Sequence, residues 1–171
     1  MGKPVYFFLY DQCCFRGVSV LDDDLTGMQF ALEEARMAAS EQEVPIGAVV
    51  MHNGEVIARD HNRIVQRNDP TAHAEMLVIG QATKKLGVRW LNNCVLYATL
   101  EPCAMCAGAM VLARLSRLVF GACDPKTGAC GSLRNIVEDT RLNHRLYVRR
   151  GVLEDACGQV LRAFFQTLRE K

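Results

Sequence analysis

The sequence predicts an α/β protein with three layers, in which helices cover both faces of a central five-stranded mixed sheet. Strand-like and helical segments alternate between residues 25 and 168, in the order helix, two strands, helix, strand, helix, two strands and helix. The dipeptide Asn53-Gly54 separates the first two strands and is the strongest short signal for a β-hairpin. With 171 residues, half of them hydrophobic, the chain is expected to form one domain with a substantial core.

The first predicted element is a helix over residues 25–42. Its apolar residues recur at helical spacing and form one stripe, consisting of Met28, Ala31, Leu32, Ala35 and Ala38. Asp24 and Thr26 are the two candidate caps of this helix. Pro45 is expected to stop it, because a proline inside a helix removes a backbone hydrogen bond.

The later elements follow from apolar runs and from turn residues between them. In chain order they are strands over 46–51 and 55–60, a helix over 72–86, a strand over 94–100, a helix over 103–115, strands over 118–122 and 145–149, and a helix over 153–168. Thr71 is the expected cap of the second helix and Gly87 its stop. Polar residues 61–71 and glycine-rich residues 124–132 are expected to be loops.

Composition narrows the class of protein. No apolar run approaches the roughly 18 residues that a membrane span requires. The short apolar stretch at residues 5–10 lacks a cleavage site, so no signal peptide is predicted. Without an export signal, the eight cysteines favour metal binding and buried thiols in a reducing, cytoplasmic compartment. Residues 1–22 show no period and are left unassigned, with a disordered tail, an added strand and sequence upstream of the true start as the alternatives.

The charges are unevenly distributed along the chain. Residues 1–45 hold three basic and eight acidic side chains, whereas residues 46–171 hold 17 basic and 11 acidic ones. A basic second part is compatible with a phosphate-rich partner, and a solvated basic face is the alternative.

Three residues that bind soft metals stand at the starts of two predicted helices. His73 lies at one start, and Cys103 and Cys106 lie one turn apart at the other. The positive end of a helix favours thiolates over thiols. Each of the two helices follows a strand, so both helix starts can lie at one edge of the sheet. A structural zinc site normally has four protein ligands, whereas a catalytic one leaves a position open. Three ligands therefore favour a catalytic zinc site over a structural zinc knot.

Glu75 lies two residues beyond His73, on a different side of the same predicted helix. It can therefore face the open position of the metal without occupying it. A carboxylate in that place is suited to move protons during catalysis. The pattern predicts Glu75 as the catalytic residue of a zinc enzyme.

These residues belong to longer stretches that resemble a known family. His73-Ala74-Glu75 and the later Pro102-Cys103-Ala104-Met105-Cys106 match the signature of zinc-dependent deaminases. Over residues 25–168 the chain resembles, more narrowly, the bacterial tRNA-specific adenosine deaminases, the TadA family of the cytidine deaminase-like superfamily. The stretches that carry this resemblance are residues 44–49, 62–63, 69–75, 99–110, 124–133 and 142–144.

The resemblance implies a cytidine deaminase-like domain over residues 23–171. Its expected activity is hydrolytic deamination of the wobble adenosine of a tRNA anticodon loop to inosine, by a zinc-activated water with Glu75 as proton shuttle. One Zn²⁺ per subunit is expected on three ligands, His73, Cys103 and Cys106. The resemblance assigns substrate binding to Asn62, Ala74, Pro102, Asp124, Lys126, Ser132 and Asn143. It also implies a tRNA partner, a homodimer and a cytoplasmic location.

Several of these residues have structural alternatives. Asp124-Pro125 is also typical of a turn, and Lys126 is also typical of a solvated loop. Phe164-Phe165 in the last helix is more typical of a core than of a surface that stacks on RNA bases.

Two other functions compete with tRNA deamination. A deaminase of a free base or nucleotide, such as guanine, cytosine or deoxycytidylate, shares the metal signature. A non-catalytic, zinc-stabilised RNA-binding module would use the metal for folding alone. The stretch at residues 124–133 and the basic last third of the chain favour tRNA.

Overall fold

The computed structural model describes residues 20–170 of the chain. Residues 1–19, most of the segment 1–22 that the sequence left unassigned, lie outside this range. The first helix begins at Val20, within that segment. The helices and strands are α1 Val20–Ser40, β1 Gly47–His52, β2 Glu55–His61, α2 Ile64–Arg67, α3 Ala74–Leu86, β3 Cys94–Leu100, α4 Ala104–Leu112, β4 Arg117–Ala122, β5 Tyr147–Arg149 and α5 Glu154–Arg169.

The five strands form one mixed sheet in the order β2-β1-β3-β4-β5. β1 is antiparallel to both β2 and β3, whereas β3, β4 and β5 run parallel to one another. Asn53 and Gly54 join β1 to β2 with φ angles of 52° and 80°, as the predicted hairpin requires. The five-stranded mixed sheet predicted from the sequence is therefore confirmed.

Helices cover both faces of the sheet, and alternate strand residues point to different cores. Val50 and Leu96 face one core, in which α3 and α4 pack through residues such as Val78 and Met110. The intervening strand residues face the second core, which includes Met28 of α1 and Cys157 of α5. Successive side chains of a strand point to opposite faces of the sheet, so these strands are buried on both faces. This burial confirms the three-layer α/β/α architecture.

The start of α1 differs from the prediction. Asp24 and Thr26 both lie inside the helix, so neither is its cap. The carboxylate of Asp24 is completely buried and accepts hydrogen bonds from Arg117 at 2.9 and 2.6 Å, from Arg149, and from the Tyr97 hydroxyl at 3.3 Å. A buried carboxylate needs such partners, and here they hold α1 against the strands.

The segment before α3 also differs from the prediction. Residues expected to be a loop contain the short helix α2, and the cap of α3 is His73 instead of Thr71. The backbone N–H and the hydroxyl of Thr71 both donate to Asp69 Oδ1, which makes Thr71 part of a turn. The predicted stop of α3 is confirmed, because Gly87 follows the helix with a φ of 66°.

No helix in residues 20–170 is long and apolar enough to cross a membrane.

Candidate active site

The starts of α3 and α4 meet beside the end of β3. His73 is the N-cap of α3 and Cys103 is the N-cap of α4, and both have an extended backbone. Cys103 follows β3 after only two residues, so the sheet fixes its position. The positive ends of the two helix dipoles point to the same place, which favours negatively charged ligands there.

The predicted ligand atoms lie close enough together to bind one metal ion. His73 Nδ1 lies 3.8 Å from Cys103 Sγ and 3.6 Å from Cys106 Sγ, and the two sulfurs are 3.7 Å apart. A tetrahedral zinc ion, with bonds of about 2.3 Å to sulfur and about 2.0 Å to nitrogen, separates such atoms by about 3.5–3.8 Å. The three residues therefore fit zinc and leave its fourth position to a non-protein ligand.

The three side chains also influence one another's protonation. Hydrogen bonds from Cys106 and then from His73 lower the pKa of Cys103 to about 3. The Cys103 sulfur, with burial second, raises the pKa of Cys106, and its hydrogen bond with His73 raises the pKa of that imidazole. Cys103 is thus a thiolate at neutral pH, the form of cysteine that binds metals.

Glu75 lies in the first turn of α3 and is only 3% exposed. Among the described residues, its Oε2 atom has no hydrogen-bond partner. Burial raises the pKa of the carboxyl above its ordinary value. A buried acid with an unpaired oxygen beside three metal-binding side chains is available to bond a reacting molecule.

Asn62 is bonded to Ala74, the residue that follows the candidate ligand His73. The Asn62 side chain is buried, and its Oδ1 accepts a hydrogen bond of 2.9 Å from the Ala74 backbone N–H. The methyl group of Ala74 packs into the core with α4. The structure therefore brings Asn62 to the first residue of α3, and the binding roles of both residues remain predictions.

Glu101 connects the metal-binding segment to the loop at residues 124–132. It is 2% exposed, and its carboxylate accepts hydrogen bonds from the backbone of Asp124, Cys130 and Ser132, at 3.1, 3.0 and 2.9 Å, and from the Ser132 hydroxyl. Pro102 accepts a further bond of 2.9 Å from the Ala129 N–H. Sequence patterns did not reveal this role of Glu101, whose only local signal is an acid that follows a buried strand.

The loop residues predicted to bind substrate are partly engaged within the protein. Asp124 accepts hydrogen bonds from the Lys126 N–H at 2.9 Å and from the Thr127 hydroxyl, which is the turn chemistry named as its alternative. The Ser132 hydroxyl is bonded to Glu101, whereas the Lys126 side chain is exposed. Gly128 is required here, because a Cβ atom would lie 2.5 Å from the Glu101 carboxyl carbon.

Asn143 lies in a different part of the surface. It is exposed and lines a cavity of about 590 Å³ with Glu138, Arg145 and Tyr147. The structure describes all three predicted metal ligands, and none of them lines this cavity. Phe164 and Phe165 of α5 contact each other edge to face, with ring centroids 5.5 Å apart, and Phe165 is 44% exposed.

A second cluster of acidic and histidine side chains was also missed. Glu34, Asp60 and His61 are buried and bring their ligand atoms within 4.8 Å of one another. Glu34 lies at the edge of the apolar stripe predicted for α1, next to Ala31 and Ala38 on the helix surface, and this position is the one sequence signal of the cluster.

Comparison with known proteins identifies relatives over most of the described region. A family model described as MafB19-like deaminase matches residues 22–169. A tRNA-specific adenosine deaminase from Bacillus subtilis (strain 168) is 53% identical over 144 residues, which are 84% of this chain and 89% of the relative. One of the same description from Aquifex aeolicus (strain VF5) is 44% identical over 83% of this chain and 93% of the relative.

Solved structures show the same fold. One from a study of A-to-I editing by tRNA:A34 deaminases at the wobble position of transfer RNA has a TM-score of 0.77 and 46% identity, and covers 80% of this chain and 99% of its own. One from a study of guanine deaminase from Nitrosomonas europaea has a TM-score of 0.73 and 27% identity, over 82% of this chain and 83% of its own. The fold is thus common to deaminases of different substrates.

Proposed function

Because this chain belongs to the bacterial tRNA-specific adenosine deaminases, we propose that it converts the wobble adenosine of a tRNA anticodon loop to inosine. The reaction is a hydrolysis. Water supplies the oxygen that replaces the amino group on C6 of adenine, and ammonia leaves. The base of an anticodon loop is already unpaired, so placing it in the site costs less than flipping it out of a duplex.

One observation carries the catalytic part of this proposal. Three ligand atoms stand at tetrahedral zinc spacing beside a buried acid whose Oε2 has no partner among the described residues. We assign one zinc ion to His73, Cys103 and Cys106, in keeping with the zinc dependence of deaminases in general. Bound there, zinc would lower the pKa of a water molecule to about 7 and so would supply a nucleophile at neutral pH.

We assign the movement of protons to Glu75. Its free Oε2 accepts one proton from the attacking water and donates it to the purine ring nitrogen. It then carries the second proton of that water to the amino group, which leaves as ammonia as the C6–N bond breaks and C6 becomes a carbonyl. Its burial supports this role, because bulk solvent does not compete with the reacting molecules for the carboxyl group. The hydrogen bond between Asn62 and Ala74 leaves Nδ2 as the Asn62 group that we propose to donate to the nucleoside.

Further contacts to the substrate are proposed for the metal-binding segment and for two loops. Pro102 lies directly before Cys103. The other three residues, Asp124, Lys126 and Ser132, lie in the loop at residues 124–132, which is hydrogen-bonded to Glu101 and Pro102. Lys126 is exposed and can bind a phosphate as a point charge. We propose Asn143 as an outlying contact to the RNA. A homodimer and a cytoplasmic location complete the proposal, by analogy with the family.

The test is deamination of a defined RNA by the purified, zinc-loaded protein. An anticodon stem-loop with adenosine at the wobble position should yield inosine and ammonia in equal amounts. A matched stem-loop with the adenosine moved to the stem should not react, because pairing then hides the base.

Guanine deamination is the alternative to test, since a guanine deaminase shares the fold at 27% identity. Free guanine, cytosine and adenosine should therefore be incubated with the same preparation. Turnover of a free base without any inosine in the stem-loop would refute the proposed substrate.

A further inference from the structure

His61 ends β2 directly before Asn62, and its side chain is completely buried. The imidazole lies between two carboxylates from α1 and the turn after it. Nδ1 is 2.9 Å from Glu34 Oε2, and Nε2 is 3.0 Å from Glu41 Oε2. Both separations are hydrogen-bond distances. The deamination chemistry proposed above gives His61 no part in the reaction.

The two contacts determine which form of the ring is compatible with the structure. A neutral imidazole has one N–H and one lone pair, whereas an imidazolium donates from both nitrogens. An ionised carboxylate only accepts hydrogen bonds. A neutral His61 would therefore point a lone pair at one of the two acceptor oxygens. The hydrogen bond from His61 is also the largest influence on the pKa of Glu41 and lowers it, which keeps that carboxylate charged.

The charges around His61 have an acidic excess. Four acids and two arginines make up the network, namely Glu33, Glu34, Glu41 and Asp60 with Arg59 and Arg63. On the α3 side the contact is neutral, because the Gln81 amide donates to Asp60 at 2.6 Å. A positive charge on the His61 ring would halve this excess of negative charge. The arginines already bind Glu34 and Asp60, so the cluster is an ion-pair network rather than a metal site.

Asn62 connects this network to the candidate active site. The His61 N–H donates to Asp60 Oδ1 at 2.9 Å, and the Asn62 N–H donates to the Ile46 carbonyl at 3.0 Å. The Asn62 side chain then holds the Ala74 N–H, one residue after the candidate ligand His73. Hydrogen bonds therefore hold the backbone at both His61 and Asn62, and the Asn62 side chain extends them to the start of α3.

We propose that His61 is a buried imidazolium that acts as a positioning residue. Held by Glu34 and Glu41, it fixes the end of β2 and, through it, the hydrogen bond from the Ala74 N–H to Asn62. Its effect on turnover rests on the deaminase function proposed above, whereas its protonation and its effect on Asn62 are properties of the free protein.

The protonation is measured by two-bond ¹H–¹⁵N correlation spectra of the full-length, zinc-loaded protein at neutral pH. Both ring nitrogens of His61 should carry a proton. The Ala74 amide should exchange slowly with solvent and should lose this protection in His61→Gln. His52→Gln, at the half-buried end of β1, is the matched control and should leave Ala74 protected. A neutral His61 ring, or an unchanged Ala74 amide in His61→Gln, would overturn the proposal.

The functional consequence is measured with a double-mutant cycle on stem-loop deamination. His61→Gln should lower kcat/KM on the order of 10-fold to 100-fold, because a small displacement of a positioning group has that effect. In Asn62→Ala the same His61 change should add little, because its effect passes through the missing side chain. Fully additive effects would show that His61 acts on stability alone. Since the spectra need no substrate, failure of the proposed activity would be seen separately from failure of this inference.

Should His61→Gln not fold, Glu41→Gln gives the same information. Glu41 is a third exposed, so its replacement by the neutral amide is mild. The expected result is a His61 ring that loses one proton, with partial loss of Ala74 protection. A ring that stays doubly protonated in Glu41→Gln, with Ala74 unchanged, would contradict the role given to this carboxylate.

Discussion

Glu75 and Glu101 are two buried acids beside the same candidate metal site, and their surroundings give them opposite properties. Glu75 has an oxygen without a partner among the described residues, and burial raises its pKa. For Glu101, burial is again the largest influence, but the hydrogen bonds from Ser132, Asp124 and Cys130 together outweigh it and lower the pKa. One acid is therefore available for proton transfer, whereas the other is a fixed anion that holds a loop.

At the residue scale, we predict that Glu75→Gln separates metal binding from catalysis. The amide keeps the shape of the side chain but cannot move a proton, so kcat should fall by roughly 10²- to 10⁴-fold. Zinc content, measured after gel filtration, should stay at one ion per chain because Glu75 is not among the proposed ligands.

Two cysteine variants are the controls for that prediction. Cys103→Ser should lose zinc and stability together, because metal binding is coupled to folding. Cys123→Ser replaces an exposed thiol and should retain both zinc and activity. A Glu75→Gln protein that deaminates the stem-loop at the wild-type rate would remove Glu75 from the mechanism.

At the scale of elements, the sequence predicted the bounds of most strands more accurately than those of the helices. β3 spans the predicted residues, and α3 ends at the predicted glycine, because apolar runs and turn residues act locally. α4 stops at Leu112, three residues before its predicted end. Gly47 shows what local patterns omit: a Cβ there would lie 2.1 Å from the Ala31 carbonyl, so glycine lets α1 approach β1.

We predict that Glu101→Gln loosens the loop at residues 124–132. Glutamine brings an NH₂ group to donors that need an acceptor, so the free energy of unfolding should fall by about 1–3 kcal/mol. KM for the stem-loop should rise, while zinc content should stay unchanged. Urea unfolding and stem-loop kinetics measure the two effects.

Ser132→Ala is the matched comparison for the Glu101 variant. It removes only the hydroxyl donor and leaves the three backbone donors in place, so it should cost less stability than Glu101→Gln. If both variants were as stable as the wild type, Glu101 would not be what holds this loop.

At the scale of the whole molecule, carboxylates in several regions have lowered pKa values in the folded state. They are Glu41, Asp69, Glu101, Glu138 and Asp139, the last lowered to about 2 by its hydrogen bonds from Arg141. Each accepts hydrogen bonds that the unfolded chain lacks. The folded protein therefore binds fewer protons than the unfolded chain below about pH 5.

This property predicts the direction of acid unfolding. A group with a lowered folded pKa stabilises the protein above its unfolded pKa, and that stability is lost as the pH falls through the folded pKa. The free energy of unfolding should thus decrease from about pH 5 toward about pH 2. Urea titrations across this range measure it.

Comparison with Glu101→Gln separates this effect from loss of zinc in acid, which affects both proteins. The stability difference between wild type and Glu101→Gln should be constant above about pH 5 and should shrink as the pH falls. A difference that grows in acid would have the wrong sign and would contradict the lowered pKa of Glu101.

The sequence by itself determined the chain order of the five strands and the four longer helices, the hairpin and the three candidate metal ligands. These features depend on periodicity and spacing, which the covalent chain fixes over a few residues. Only the tertiary structure decided which partner each buried charged group contacts. Asp24 binds Arg149, which is 125 residues away in sequence. Glu101 binds Ser132, 31 residues away, and His61 binds Glu34, 27 residues away. No local pattern encodes such pairs, because they form only when the sheet and its helices have brought distant segments together.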